Sequence, residues 1–141
     1  MKFRAFFDTN VLVYEFDAGA GDKRERARSL LNDWRPSGSM VISTQILQEL
    51  FVVLTSKLNP PMPVGAVKTL LKNYSALETV TVTTSIILHA VDIKERTNIS
   101  FWDSLVVASA VKAHCKILFT EDLNHDQIIQ GVRIINPFLD D

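Results

Sequence analysis

Residues 3–10 read Phe-Arg-Ala-Phe-Phe-Asp-Thr-Asn, and the first strand and the first acid of the predicted fold lie in this stretch. The aromatic-rich residues 3–7 favour a short β-strand that stops at Asp8. Asn10 offers a start for a helix in residues 11–16, although the apolar spacing there fits a helix or a strand. The stretch therefore predicts a strand that ends at an acid and passes into a helical segment.

The same alternation continues to the end of the sequence. Further strands are predicted at residues 40–43, 79–82, 116–119 and 132–135, and helices at residues 23–34, 44–57, 64–74, 85–96 and 102–114. The last of these helices is apolar nearly all round, which indicates burial. Strands alternating with helices predict an α/β fold, in which a mostly parallel five-stranded sheet is covered on both faces. A length of 141 residues suits one domain, residues 1–141.

Composition and charge exclude several classes of protein. The chain is 47% apolar, which excludes wholesale disorder, and its net charge of −1 argues against gripping nucleic acid by bulk positive charge. A single cysteine, Cys115, permits neither an internal disulfide nor a multi-cysteine zinc site and suits a reducing cytoplasm. The sequence shows neither a signal-peptide pattern nor an apolar run long enough for a membrane. We therefore expect a cytoplasmic protein.

Two acids follow predicted strands. Asp8 comes directly after the first strand, and Asp122 follows residues 116–119 by way of Thr120 and Glu121. In parallel sheets, ligands bind outside the carboxyl ends of the strands, so both carboxylates are candidates for a common site. Taken singly, each acid is more simply explained as a turn residue.

Two further acids lie on helices. Glu49 falls at the border of an apolar stripe, where a carboxylate is costly unless it is paired, ligates a metal or extends outward to solvent. Asp103 begins the most apolar helix and forms an S-x-x-D capping pattern with Ser100. Capping is a structural role, and a functional role of the same residue is compatible with it.

These four acids can converge at one edge of the sheet. Four close carboxylates would repel one another and raise one another's pKa, so they need a compensating positive charge. Oxygen-only ligands favour Mg²⁺ or Mn²⁺, which can activate water for phosphodiester hydrolysis. The residues themselves therefore predict a metal site for RNA or DNA cleavage.

Five segments carry a resemblance to a known family. They are DTNVLVY at residues 8–14, QEL at 48–50, FWDSL at 101–105, TEDL at 120–123 and GVRIINPF at 131–138. In order and spacing the chain resembles the PIN-domain ribonucleases, and among them the VapC-like toxins of type II toxin–antitoxin systems. The resemblance spans essentially the whole chain and implies a three-layer α/β/α sandwich.

The resemblance also implies roles for particular residues. Asp8, Glu49 and Asp103 would be catalytic acids that hold one or two Mg²⁺ or Mn²⁺ ions, with Asp122 as the fourth acid. Thr9 and Asn10 would support the first acid, Thr120 would be a supporting hydroxyl, and Glu121 competes with Asp122 for the fourth role. The implied activity is endoribonuclease cleavage of RNA, and the implied partners are a cognate antitoxin and a second copy of the chain in a homodimer.

Other interpretations of the sequence stay open. A catalytically inactive PIN fold would bind a partner through the same surface. A receiver-like phosphoacceptor domain would need an acid after the third strand, where the sequence has Val82-Thr83-Thr84, and a dehalogenase-like phosphatase would need a second acid at Asn10. Trp34 and Trp102 are predicted to be core residues rather than platforms for base stacking.

Overall fold

The computed structural model of the protein describes residues 3–139. Its strands are β1 (Arg4–Phe7), β2 (Met40–Ser43), β3 (Glu78–Val80), β4 (Cys115–Phe119), β5 (Ile128–Ile129) and β6 (Val132–Ile135). Its α-helices are α1 (Thr9–Val13), α2 (Asp22–Trp34), α3 (Thr44–Val52), α4 (Val64–Tyr74), α5 (Thr84–Thr97) and α6 (Phe101–Lys112). The predicted α/β class is confirmed, with helices flanking a central sheet.

The sheet has six strands in the order β3-β2-β1-β4-β6-β5, one more than predicted. All neighbouring strands pair in parallel except β5 and β6, which form an antiparallel hairpin. The hairpin turns at Gln130 and Gly131, whose φ angles of 49° and 84° suit a tight two-residue turn. Strand β5 is not predicted from the sequence, because a two-residue strand is too short to show an alternating pattern.

The order of the strands creates a crevice beside β1. The chain runs from β1 outward to β2 and β3, then returns to β4 on the other side of β1. Crossovers between parallel strands are right-handed, so the connection from β2 to β3 and the connection from β3 to β4 lie on opposite faces of the sheet. The helices that cover the two faces therefore separate between β1 and β4. In open α/β sheets, ligand sites form where the strand order reverses in this way, at the carboxyl ends of the strands.

An aromatic cluster fixes the register of the two strands at this crevice. Phe7 of β1 lies opposite Phe119 of β4, with ring centroids 5.0 Å apart. Trp34 of α2 packs edge-on against both rings, at 5.8 and 5.7 Å. This packing aligns the ends of β1 and β4, so the residues that follow them emerge side by side.

Helix α6 is deeply buried, as its all-round apolar character predicts. Seven consecutive residues, from 104 to 110, are buried. The helix is nevertheless only 12 residues long. Within residues 3–139, no helix combines the length and the apolar character that crossing a membrane requires.

The predicted helix over residues 44–57 changes its character near the middle. It is α-helical over Thr44–Val52 and continues as a π-helix over Val53–Lys57. In this second half the hydroxyl of Thr55 donates to the carbonyl of Phe51 at 2.6 Å, and the hydroxyl of Ser56 donates to the carbonyl of Val52. Such back-bonding competes with the regular helical ladder and accompanies the widened turns. The π-helical segment therefore continues α3 along one side of the crevice.

Candidate metal centre

Asp8 is held rigidly at the junction of β1 and α1. Its backbone N–H donates to the carbonyl of Phe119 at 3.0 Å, which continues the pairing of β1 with β4. Its carboxylate caps α1 by accepting from the N–H of Thr9 at 2.8 Å and also accepts from the hydroxyl of Thr120 at 2.7 Å. Only 5% of the residue is exposed. Two strands and a helix N-terminus therefore orient this carboxylate.

Burial is the main influence on the pKa of Asp8 and raises it to about 7. The hydrogen bonds from Thr120 and Thr9 lower the pKa, whereas the negative charges of Asp122 and Glu49 raise it. A buried carboxylate in this setting favours the uptake of a proton or of a cation. The negative charge of this buried carboxylate is therefore unfavourable without a cation, and a bound metal ion would offset that cost.

Asp103 lies in the first turn of α6. Its backbone N–H donates to the hydroxyl of Ser100 at 3.0 Å, which is the helix cap that the S-x-x-D pattern indicates. Burial raises the pKa of the half-buried Asp103 carboxyl, and the Ser100 hydroxyl, acting on the carboxylate itself, opposes that shift. The structural role of this residue therefore coexists with a position on the crevice.

Asp122 reaches the crevice from the loop after β4. Its backbone N–H donates to the hydroxyl of Thr120 at 3.1 Å, and its carboxylate accepts from the side-chain amide of Asn10 at 3.1 Å. Burial raises the pKa of Asp122, and the charges of Asp103, Glu121 and Glu49 raise it further. The effect of these neighbouring charges shows that the carboxylates lie close enough to repel one another.

Three of the four predicted acids meet at one point. Carboxylate oxygens of Asp8, Asp103 and Asp122 all lie within 4.8 Å of one another. Two of these residues follow adjacent strands and the third begins a helix, so the backbone brings their side chains together from separate parts of the fold. Three carboxylates with raised pKa values and no neutral or sulfur ligand form a donor set suited to Mg²⁺ or Mn²⁺.

Glu49 lies at the edge of this group. It is half-buried on α3 and accepts hydrogen bonds from the hydroxyl of Thr9 at 2.6 Å and from the amide of Gln45 at 3.4 Å. It lines the same cleft as the other acids, although its carboxylate is outside the three-acid group that meets within 4.8 Å. Thr9 therefore contacts both acids, because its backbone N–H donates to Asp8 and its hydroxyl donates to Glu49.

The structure separates the roles of Glu121 and Asp122, which the sequence leaves open. Glu121 accepts from the hydroxyl of Tyr14 and forms an ion pair with Lys23, whose Nζ lies 2.8 Å from its carboxylate. Lys23 also lies over the ring of Tyr14, 5.1 Å from its centroid. Glu121 is therefore committed to a surface ion pair, and Asp122 is the acid that lies with Asp8 and Asp103.

Two amide side chains tie the site together in ways that the sequence did not indicate. Asn10 was expected beside Asp8, but its amide contacts Asp122 instead. Gln45, one turn before Glu49, donates to Glu49 and also to the backbone carbonyl of Trp102 at 3.2 Å. The only sequence signal for Gln45 is its i, i+4 spacing from Glu49.

The acids open into a cleft of about 570 Å³. Its lining is partly polar, and its apolar part is formed by valines and one tryptophan: Val13, Val52, Val53, Val106 and Trp102. The prediction that both tryptophans are core residues is wrong for Trp102, which is 64% exposed, and right for Trp34, which is 4% exposed. Trp102 lies in the first turn of α6, just before the run of buried residues from 104 to 110.

Comparison with known proteins identifies a family model that fits most of the chain. The model for the PIN domain matches residues 5–129. Among curated proteins, no relative matches the sequence.

Several solved structures share the fold. One is a toxin–antitoxin complex from Klebsiella pneumoniae, with a TM-score of 0.62 and 23% identity over 95% of this chain and 98% of that chain. A second is VapC20 of Mycobacterium tuberculosis, described as a toxin that cleaves the sarcin–ricin loop, with a TM-score of 0.65 and 20% identity over 81% of this chain and 86% of that one. A third is DNA-bound VapBC from Salmonella typhimurium, with a TM-score of 0.67 and 20% identity over 94% and 96% of the two chains. At these identities the likeness concerns the fold.

Proposed function

The chain belongs to the PIN-domain family, and on that basis we propose that it is a Mg²⁺- or Mn²⁺-dependent endoribonuclease that acts as the toxin of a type II toxin–antitoxin pair. The observation that carries this proposal is the meeting of Asp8, Asp103 and Asp122 within 4.8 Å at the reversal of strand order. Hydrogen bonds from Thr9, Thr120 and Asn10 hold two of these carboxylates in place. Within residues 3–139 no cation pairs with Asp8 or Asp122, and the pKa of each is raised.

The residues that would hold the metal in this proposal are Asp8, Asp103 and Asp122, together with Glu49, which lines the same cleft. A bound Mg²⁺ or Mn²⁺ would supply positive charge for the phosphate and lower the pKa of a bound water. The residues of the chain set the geometry. Thr120 fixes the Asp8 carboxylate and the Asp122 backbone together, at 2.7 and 3.1 Å.

Glu49 is placed to handle a proton in this scheme. Its carboxylate is held by the Thr9 hydroxyl and the Gln45 amide, and it faces the cleft. Hydrolysis adds water across a P–O bond, and the attacking water must give up a proton as its oxygen bonds to phosphorus. We assign the acceptance of that proton to Glu49, and the leaving oxygen takes its proton from solvent.

The toxin role is supported by the structures that share this fold. Two of those described above are toxin–antitoxin assemblies, in Klebsiella pneumoniae and Salmonella typhimurium. In this proposal an antitoxin inhibits the chain by covering the cleft, two copies form a homodimer, and the protein acts in the cytoplasm. The single buried thiol of Cys115 suits that compartment.

The alternatives are weaker on specific observations. A receiver-like domain needs a phosphoacceptor acid after β3, but β3 is an edge strand separated from β1 by β2 and is followed by Thr81. A PIN fold that had lost catalysis would have no need to keep three crowded carboxylates with raised pKa values. The inactive-module hypothesis nevertheless makes a distinct prediction, namely binding of a partner without cleavage.

The experiment that tests the proposal is RNA cleavage by the purified chain. A 5′-labelled RNA is incubated with the wild-type protein and Mg²⁺ or Mn²⁺, with the same reaction in EDTA, and with the Asp8→Asn and Lys68→Gln variants. We expect internal cleavage by wild type and by the Lys68→Gln control, whose exposed side chain is outside the cleft. Cleavage that persists in EDTA and in Asp8→Asn would contradict the proposal, and absence of cleavage in all reactions would favour the inactive module.

A further inference from the structure

A second pocket lies apart from the acids, between the start of α5 and the end of α6. Its volume is about 330 Å³, and it shares no lining residue with the cleft that contains the acids. Its described lining consists of Ser85, Ile86, His89, Val111, Lys112 and His114. Lys112 ends α6 and therefore lies about 14 Å along the helix axis from Asp103. The pocket is a separate place on the molecule.

The polar side chains of this pocket are cations and hydrogen-bond donors. Lys112 carries a positive charge, and the imidazoles of His89 and His114 take one up when they are protonated. No aspartate or glutamate is among the described lining residues. Across residues 3–139, the side chains of Lys112 and His114 have neither an ion pair nor a hydrogen bond. The pocket therefore brings cationic groups together without an anion that pairs with them.

His89 is held in the wall of the pocket by the β5–β6 hairpin. Its ring nitrogen Nε2 lies 2.6 Å from the amide oxygen Oε1 of Gln130. Because that oxygen is an acceptor, Nε2 carries the proton of this hydrogen bond. Protonation of Nδ1 then gives the ring a full positive charge and a second donor. An imidazole that is fixed through one nitrogen can thus present the other nitrogen to an anion.

Two residues at this pocket have backbone conformations that glycine adopts most readily. His114 follows the C-cap residue of α6 with a φ angle of 58°, at a position where helices commonly have glycine. Gln130, the partner of His89, has a φ angle of 49°. The left-handed conformation costs energy for both residues. Both side chains are exposed and contribute nothing to the core, so a role at the pocket accounts for their presence.

The two helix ends at the pocket are compatible with a bound anion. Ser85 lies in the first turn of α5, a helix of 14 residues whose N-terminal end carries partial positive charge. The C-terminal end of α6 carries partial negative charge, but the carbonyl of Ala113 there already accepts from the guanidinium of Arg4 at 3.0 Å. A cation therefore already faces the end of α6, and the ammonium of Lys112 is left for a ligand.

We propose that this pocket binds a phosphate monoester group. The ammonium of Lys112, the imidazoles of His89 and His114 and the hydroxyl of Ser85 donate to the phosphate oxygens. A phosphate monoester carries nearly two negative charges and three strong acceptor oxygens, which suit several donors around one pocket. A carboxylate offers one charge and two oxygens, and would leave part of this donor set unpaired.

The phosphate group can belong to a free nucleotide or to the 5′ end of an RNA chain, since both present the same chemistry. The site goes beyond the proposed nuclease activity and does not depend on it. Binding at this pocket requires neither a metal ion nor any of the four acids.

A nuclear magnetic resonance titration without metal tests the inference. The ¹⁵N-labelled wild-type chain is titrated in EDTA with adenosine 5′-monophosphate and, as the matched ligand, with adenosine, which lacks only the phosphate. We expect the nucleotide to shift the backbone amide signals of Ser85, Lys112 and His114, and adenosine to leave them unchanged. The amide signals of Asp8 and Asp103 should not move, because without metal the acids repel phosphate.

Substitutions separate phosphate binding from a structural role. Lys112→Gln should weaken binding of the nucleotide about fivefold, the upper range for an exposed pair of charges, and the exposed control Lys68→Gln should not change it. His114→Gly should also weaken binding, yet it should not lower the midpoint of thermal unfolding, because glycine suits the φ angle of 58°. A purely structural His114 would give the opposite pair of results.

A 5′-phosphorylated trinucleotide and inorganic phosphate identify the source of the group. Tighter binding of the trinucleotide than of the mononucleotide supports the end of an RNA chain, and equal binding of all three supports a free phosphate compound. Two results would overturn the inference. One is the absence of shifts at the pocket up to about 20 mM nucleotide, which would reveal even millimolar affinity. The other is unchanged affinity in both Lys112→Gln and His114→Gly. Failure of the proposed function appears separately, as absence of RNA cleavage with metal.

Discussion

Replacing Asp8 with asparagine should stabilise the metal-free protein while abolishing its activity. In the folded chain burial raises the pKa of Asp8 from 3.8 to about 7. Between these two values the folded protein keeps a proton that the unfolded chain has released. Stability therefore falls as the pH rises from about 4 to about 7, because the folded state must either hold the proton or bury a charge.

The size of the effect follows from the shift. Three pKa units correspond to about 4 kcal/mol of unfolding free energy at pH 8, since each unit is worth about 1.4 kcal/mol. Asparagine is neutral and keeps an oxygen for the N–H of Thr9, but it gives up an acceptor for Thr120, at a cost of about 1 kcal/mol. The net gain of Asp8→Asn is therefore about 3 kcal/mol at pH 8, and no gain is expected at pH 4.

Urea unfolding in EDTA at pH 4 and at pH 8 measures this difference. Glu121→Gln is the matched control, because its carboxylate forms an ion pair with Lys23 and accepts a hydrogen bond from Tyr14, and the gain at pH 8 should be absent. Mg²⁺ should then stabilise wild type and leave Asp8→Asn nearly unchanged. Equal stability of wild type and Asp8→Asn at pH 8, or a gain that is the same at both pH values, would refute the reasoning.

Three further predictions concern the surroundings of Asp8. In the RNA cleavage assay, Asp122→Asn should lose at least about 100-fold in rate, because a metal ligand is removed, whereas Glu121→Gln should lose less than about tenfold; equal losses would contradict the separation of the two acids. Thr120→Val should weaken Mn²⁺ binding about 10- to 100-fold in a calorimetric titration, since it removes the hydroxyl that orients Asp8 and the Asp122 backbone, and an unchanged affinity would argue against that role. Leu118→Ala should lower the unfolding free energy by about 2–5 kcal/mol, because this side chain is fully buried in β4, and a loss below about 1 kcal/mol would show that the core had collapsed around it.

The sequence predicted the main features of the sheet because its strands and helices have distinct periods. Asp8 and Asp122 follow two predicted strands, and the general rule for parallel sheets placed both at one edge. The rule does not give the order of the strands. That β1 and β4 are neighbours, and that the order reverses between them, depends on packing such as that of Trp34 against Phe7 and Phe119.

The details of the site depend on contacts between distant residues, which a single sequence does not contain. Glu121 and Asp122 are adjacent and chemically alike, and Glu121 is set apart by its contacts with Tyr14 and Lys23, about a hundred positions earlier. Asn10 contacts Asp122 across a separation of 112 residues. The apolar character of the helix predicts a buried Trp102, but helical periodicity does not show that burial starts only at residue 104, after the first turn.

If Asp8, Asp103 and Asp122 hold a divalent metal ion, the position of bound Mn²⁺ in a crystal will show it. Crystals of the protein soaked in Mn²⁺ should give an anomalous scattering peak at about 2.0–2.3 Å from carboxylate oxygens of all three residues, which is a bonding distance for such an ion. The peak should be absent in crystals of Asp8→Asn grown in the same way. A wild-type crystal with no peak there, or with Mn²⁺ bound only elsewhere on the chain, would contradict the account.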